Sequence, residues 1–297
     1  MNKKLLLGII LVTLGACSYG VLATFVKMAY QKGFTTNEIT SSQYFIGWLV
    51  IGISVLFIKD KKEEDAKKKK TSIIQLILAG TSLGLTGLFY YLSVKNIPVS
   101  IAIVLLMQST WLGVLAESIL TKRIPSLKRI LVCLVIVGAT VLAADLYGQE
   151  TIFNFEGYLF GFLAAISYTI TIISSAHISL NTHWLHRSFW LSTGGTLIVL
   201  LVTFIQFDSN YNFAVFYEWG LTLALFGTIL PPLLFAYCMP YIGIGLGTII
   251  GAIELPVSVI CASVLLHEEV NLIRWIGIVI ILLAILIMNI NTGKNKA

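Results

Sequence analysis

The chain has 297 residues, of which 57% are hydrophobic and only 11% charged, with a formal net charge of +6 and a mean hydropathy of +0.91. So few polar side chains cannot cover a water-facing surface, so the composition excludes a soluble enzyme or binding module and puts the chain in a lipid bilayer. The modest basic excess says little about partners and gives no reason to expect nucleic acid.

Ten apolar stretches, each long enough to cross about 30 Å of hydrocarbon as a helix, follow one another along the chain. They are Leu5–Val26, Ile39–Ile58, Ile73–Val94, Ile97–Leu120 and Ile130–Leu146, then Tyr158–Ala176, Trp184–Ile205, Trp219–Met239, Ile242–Leu266 and Ile273–Ile290. They are continuous and do not alternate in short segments, which predicts helices and not a β-barrel. The first opens "MNKKLLLGIILVTLGACS", in which "LGAC" resembles a lipoprotein processing site ending at Cys17. The apolar run continues to Val26, and cleavage would leave an odd number of spans, so it reads as a retained helix.

Between the second and third spans lies "KDKKEEDAKKKK", Lys59 to Lys70, with seven lysines and four acids. Its place between two membrane helices makes it a solvated cytoplasmic loop. With the N-terminus also cytoplasmic, 16 of the 20 basic residues fall on that side, leaving Lys27, Lys32, Lys95 and Arg274 outside with Asp145, Glu150, Glu156, Asp208 and Glu218. The positive-inside rule therefore predicts a multi-pass protein of the cytoplasmic membrane with both termini inside. The cysteines Cys17, Cys133, Cys238 and Cys261 all fall inside spans and show no CxxC spacing, so they read as small packing residues.

The halves also match each other. "IPSLKRILVCLVIVGATVLAAD" from Ile124 aligns with "VNLIRWIGIVIILLAILIMNIN" from Val270, about 145 residues on. Likewise "SYG" at Ser18 faces "SYT" at Ser167, and the run from Gln43 faces the run from Arg187. Shared composition is one explanation; duplication is the one the preserved order favours. The expected fold is an all-α membrane protein of ten transmembrane helices in two five-helix repeats, residues 1–147 and 148–297. Five is odd, so the second repeat enters from the opposite face, an inverted arrangement that supports alternating access in many secondary transporters.

"YYLSVKNIPVSIAIVLLMQSTWLGVLAESILTKRI" closes the first half and "GIGLGTIIGAIELPVSVICASVLLHEEVNLIRWIGIVII" the second. With ten spans in two halves, these segments resemble the EamA family of the drug/metabolite transporter superfamily, over nearly the whole chain. Glu268, Trp275 and Gly277 fill the places of a family glutamate and a "W/L-G" pair. Two positions depart from the pattern: Lys122 stands where the first half would match Glu268, and Gln43 where an arginine is common, although Arg187 occupies the equivalent place in the second half. The resemblance implies a ten-helix inner-membrane carrier, commonly an exporter of small metabolites, with a cavity between the halves.

Glu254 lies about twelve residues into its span, near mid-bilayer, where an ionised carboxylate is costly unless it faces a cavity or partner. It reads as a candidate proton carrier or as a static hydrogen-bond partner across helices. Pro256 removes a backbone donor beside it, which predicts a break in that helix at cavity depth. An offset of 145 sets Gln108, Ser109 and Trp111 at the same depth in the first half. Tyr19, Tyr90, Tyr91, Tyr168 and Tyr237 either line the cavity or pack against helices. Pro231 and Pro232, adjacent at mid-span, predict a distortion that acts as a hinge or vestibule wall. Lys27 at a helix end is a snorkelling or gating residue, and Gly247 and Gly251 permit close helix approach. Glu117 is expected to snorkel or to pair with Lys122 or Arg123. His177, His183 and His186 have no nearby carboxylate or cysteine, so no metal site is expected.

No phosphate-binding glycine loop is present, so no nucleotide or other cofactor is expected and transport would draw on a gradient. The expected function is a secondary transporter for a small, amphipathic, amino acid-like metabolite, in the export direction, with protons as coupling ion. A gradient-driven facilitator, a channel-like uniporter and a polytopic membrane enzyme are the alternatives; no catalytic cluster favours the last. Oligomeric state is not readable from the sequence.

Overall fold

The computed structural model describes residues 3–57, 66–97, 99–143, 154–178, 182–266 and 271–290. The lysine-rich segment through Asp65, together with Asp145, Glu150, Glu268, Lys294 and Lys296, lies outside them. The described residues are all-helical, with no strand among them. The helices are α1 (Lys3–Gln31), α2 (Thr36–Leu56), α3 (Ala66–Asn96), α4 (Val99–Leu106), α5 (Ser109–Thr121), α6 (Leu127–Ala143) and α7 (Phe155–His177). They continue with α8 (Trp184–Ile205), α9 (Leu221–Ala224), α10 (Leu230–Ile242), α11 (Ile244–Gly251), α12 (Glu254–Leu266) and α13 (Leu272–Ile290). Eight stretches are long and apolar enough to cross a membrane, and a shorter apolar helix covers Trp275–Ala284. The fifth expected span, α6, has 17 residues.

Local sequence sets the helix ends. α1 runs to Gln31, beyond the expected Val26, because its stop is Gly33 at φ +89°. There Gly33 N–H donates to Tyr30 O and Phe34 N–H to Ala29 O, a Schellman closure that a left-handed glycine allows. The next helix starts at once: the Thr35 side chain accepts from Glu38 N–H while Thr35 N–H donates to Glu38 Oε2 at 2.6 Å, a reciprocal capping box.

Two spans are broken in the middle. α4 and α5 are separated by Met107–Gln108, and α11 and α12 by Ala252–Ile253. At the second break Ile253 N–H donates to Ile250 O and Leu255 N–H to Ala252 O, the three-residue spacing of a tight turn. Pro256 lies in the first turn of α12, where a missing N–H is tolerated. Had α11 run on unbroken, the Pro256 ring would have met the Ala252 carbonyl, the oxygen that Leu255 N–H takes instead. The predicted distortion at Pro231–Pro232 also has a specific form. Two π-helical turns, Phe216–Gly220 and Leu225–Ile229, precede them, and the prolines open α10.

α3 packs against α7 and α8, α1 against α10 and α12, α2 against α8, α5 against α11, and α6 against α13. At the α5–α11 crossing, a Cβ on Gly113 would overlap the Thr248 side chain, so glycine is what lets these helices touch. Buried hydroxyls tie the bundle together. Ser82 and Thr171 bond at 2.8 Å, Ser167 donates to Ser82 O at 3.0 Å, and Thr228 donates to Gln43 O at 3.0 Å. Each such bond between membrane helices contributes on the order of 0.6 kcal/mol. Large apolar side chains such as Leu78, Ile119, Leu134 and Phe204 point outward, as a lipid-facing surface requires.

Candidate functional site

A cavity of about 60 Å³ sits between the two halves of the chain. α1 contributes Tyr19, Leu22 and Ala23; α2 contributes Gln43 and Tyr44; α3 contributes Leu83, Thr86, Gly87, Tyr90 and Tyr91; Leu106 ends α4. From the second half come Tyr168 of α7, Gly227 of a π turn and Glu254, the first residue of α12. The break between α11 and α12 thus delivers the Glu254 carboxylate to the cavity wall.

Glu254 is only 6% exposed and Tyr168 only 4%. Glu254 Oε2, the Tyr90 hydroxyl and the Tyr168 hydroxyl find no hydrogen-bond partner among the described residues. An unsatisfied buried polar atom costs about 1–3 kcal/mol. Three such atoms around one cavity leave it with unused hydrogen-bonding capacity. The other tyrosines are engaged: Tyr44 donates to Leu83 O at 2.7 Å and Tyr91 to Gln43 Oε1 at 3.0 Å. Tyr19 stands edge-on to Tyr168, their ring centroids 6.0 Å apart. Among the described residues, no lysine, arginine or histidine lines the cavity.

A second, more polar cavity of about 310 Å³ opens at the end of the bundle where α2 begins. Thr35, Asn37, Glu38, Lys95, Asp208 and Tyr211 are among its lining residues. Glu38 is buried there, and Asn212 N–H donates to its Oε1 at 2.5 Å, fastening the loop after α8 to the start of α2. Ser41 and Tyr211 bond at 2.5 Å beside it. The Asn210 backbone N–H, then the Ser209 hydroxyl and the Asn210 amide, hold the Asp208 carboxyl below its usual value, while burial pushes the Tyr211 hydroxyl up.

Of the candidate residues, Glu254, Tyr19, Tyr90 and Tyr168 meet at the central cavity. Gln108, Ser109 and Trp111 do not line it. Gln108 accepts from Trp111 Nε1 at 2.9 Å and donates to Val104 O at 3.0 Å, so its amide stitches the break in its own span. Ser109 is buried, and Trp111 is 36% exposed. Pro256 is buried behind Glu254 and is not part of the wall. Tyr237 packs edge-on against Trp184 and Tyr241, away from the cavity. Pro231 and Pro232 are buried at the start of α10, and Ser188 donates to Pro232 O. Lys27 lies half-buried near the end of α1. A Cβ on Gly247 would stand 2.5 Å from Met239 Sδ, so it is a close-packing position. Gly251 lies beside the Tyr168 hydroxyl.

Glu117 pairs with neither Lys122 nor Arg123. Arg129 Nη1 reaches it at 2.5 Å, because Arg129 lies at the start of α6, which folds back along α5. Among the described residues no group of three His, Cys, Asp or Glu side chains is placed to hold a metal.

Sequence reasoning singled out Gln43 only as a departure, yet it lines the cavity. Arg187, its counterpart in the second half, is 3% exposed and donates to Ile178 O at 3.0 Å, to Ala236 O at 2.8 Å and to Ser175 O. The Glu38 latch also escaped notice, although "TTNE" is a readable capping signal.

Solved structures share this architecture, with 29 chains matching. One, described only as a crystal structure of a protein, aligns with a TM-score of 0.75 over 97% of this chain and 99% of its own at 13% identity, which establishes a shared fold. No curated protein matches the sequence. The pattern of the EamA-like transporter family matches residues 6–144 and again residues 155–290. With that pattern repeated over most of its length, in a bundle of apolar helices, this chain belongs to the EamA-like transporter family.

Proposed function

We propose that the protein is a secondary transporter that moves a small metabolite across the cytoplasmic membrane by alternating access, around ten helical crossings in two inverted five-helix repeats. In this reading α6 and α13 are the fifth and tenth crossings, the repeats are residues 1–147 and 148–297, and both termini are cytoplasmic.

Several observations support the inversion. α4 and α5 have 8 and 13 residues, and α11 and α12 have the same lengths. Val99 and Ile244, which start the two broken spans, are 145 positions apart, as are Ser109 and Glu254 after the breaks. The backbone bonds repeat with that offset: Gln108 to Leu105, Thr110 to Met107 and Leu112 to Gln108 correspond to Ile253 to Ile250, Leu255 to Ala252 and Val257 to Ile253. Helix pairing has the self-matching pattern of a two-fold: α2 meets its counterpart α8, and α6 meets its counterpart α13. An odd number of crossings per repeat makes that two-fold lie in the membrane plane.

The observation that carries the function is the cavity at this junction, with one unpartnered carboxylate oxygen and two unpartnered tyrosine hydroxyls. Glu254 is the group we assign to solute binding and to coupling with protons, and export is the direction the family resemblance implies. Counterflow in proteoliposomes tests the reading: solute loaded inside is expected to accelerate uptake of labelled solute, saturably. Flux that rises without saturation would make the protein a channel. Glu254→Gln is expected to leave the protein folded and to abolish or strongly slow proton-coupled transport. Unchanged, pH-dependent rates in that variant would remove Glu254 from coupling.

A further inference from the structure

We propose that the solute is a compact monovalent organic cation, an alkylated ammonium, held by Glu254 against the rings of Tyr19, Tyr90 and Tyr168. This rests on the transporter reading of the same cavity and deepens it by assigning a charge and a size to the cargo.

Charge is the first argument. Among the described residues, the wall carries one ionisable acid and no basic side chain. Glu254 is buried, and its Oε2 has no partner among them. A buried carboxylate needs a compensating positive charge or a proton, and the described residues supply no basic side chain at the wall. The position on α2 that would supply one is Gln43, whose amide oxygen is taken by Tyr91. Its second-half counterpart is an arginine, but Arg187 spends its guanidinium on three backbone carbonyls and does not line the cavity. Lys27 stands one turn beyond Ala23 on α1 and is likewise not part of the wall. An anion entering would meet only the acid, and a zwitterion would bring a second carboxylate into the same small space.

The aromatic wall is the second argument. Five tyrosines surround the acid, and ring faces attract a cation whose own substituents are apolar, as in aromatic cages for methylated ammonium groups. The unpartnered Tyr90 and Tyr168 hydroxyls can also turn a lone pair toward the charge. Leu22, Leu83 and Leu106 suit alkyl substituents better than the water shell of a metal ion. Size is the third argument. A cavity of about 60 Å³ has room for only a few waters, which restricts the group seated against Glu254 to a compact cationic head.

The test uses the full-length protein in lipid nanodiscs for binding and in proteoliposomes for counterflow. The probes are tetramethylammonium, choline, a dimethylbutanol that copies choline with carbon in place of nitrogen, and glycine betaine. Tetramethylammonium and choline are expected to raise the thermal midpoint and to drive counterflow, with the dimethylbutanol and betaine weaker by about tenfold or more. Glu254→Gln is expected to erase the preference for choline over its uncharged copy. The wild-type comparison needs no variant to fold. Equal affinity for choline and the dimethylbutanol would overturn the proposal, as would saturable counterflow of betaine or an anion without that of choline; the latter leaves the transporter reading standing. Charge-selective binding without saturable counterflow would sustain the cation site and remove the transporter reading.

Discussion

The break between α4 and α5 and the break between α11 and α12 have the same flanking lengths and repeat three of the same backbone bonds, yet they use different side chains. In the first, Gln108 bonds both Val104 O and Trp111, closing the gap from within its own span. In the second there is no such stitch; Pro256 occupies the first turn, and the residue after the gap is the cavity acid Glu254. Since the first break forms without a proline, backbone geometry at this depth is a property of the repeat. The position after it is then free to be inert, as at Ser109, or charged, as at Glu254.

That contrast can be broken in a graded series. The largest effect is expected from Ser109→Glu. Ser109 follows its break as Glu254 follows the other, but it is buried and does not line the cavity, so a carboxylate there costs about 3 kcal/mol, read as a lowered thermal midpoint or loss of folded protein from the membrane. Normal stability would mean that the two positions are interchangeable and that the cavity does not distinguish them. Next is Gly113→Ala at the α5–α11 crossing, where the added methyl meets Thr248. A loss of about 1–3 kcal/mol is expected, while its counterpart Ser258→Ala, which adds no atom, is expected to stay within about 0.5 kcal/mol. Thermal unfolding of the pair in one detergent reads the difference. Smallest is Pro256→Ala, expected to shift stability by less than about 1 kcal/mol and to leave counterflow intact, because the tight turn at Ala252 has a proline-free copy in the first half. A collapse of transport in that variant would show that the proline, and not the repeat, holds Glu254 in place.

Much of this was legible in the sequence because a bilayer leaves few choices: continuous apolar runs must be helices, and an acid among them must face something polar. Glu254 is legible on that logic, whereas for Tyr19, Tyr90 and Tyr168 the sequence leaves cavity wall and packing both open. What composition could not supply was direction around the helix axis. Gln108, Ser109 and Trp111 share the depth of Glu254, but at the wall α4 is represented by Leu106, and the three residues beyond it pack or face outward. Tyr237 failed to join the cavity for the same reason. The partner of Glu117 was misread because two basic residues close in sequence, Lys122 and Arg123, lie past the left-handed end of α5 at Lys122, whereas α6 brings back Arg129. Arg187 looked like one more cytoplasmic charge, since nothing local announces three carbonyls converging from α7, its end and α10.

The spacing of the two cavities along α2 and α3 has a mechanical consequence. Gln43 and Tyr91 belong to the inner chamber, Glu38 and Lys95 to the polar one. Residues four or five apart on a helix are separated by about 6–8 Å along its axis. The partition between the chambers is therefore little more than one coil thick on that side, with the Glu38–Asn212 clasp at its rim. One helix, α2, therefore contributes to both chambers across about one turn of its length.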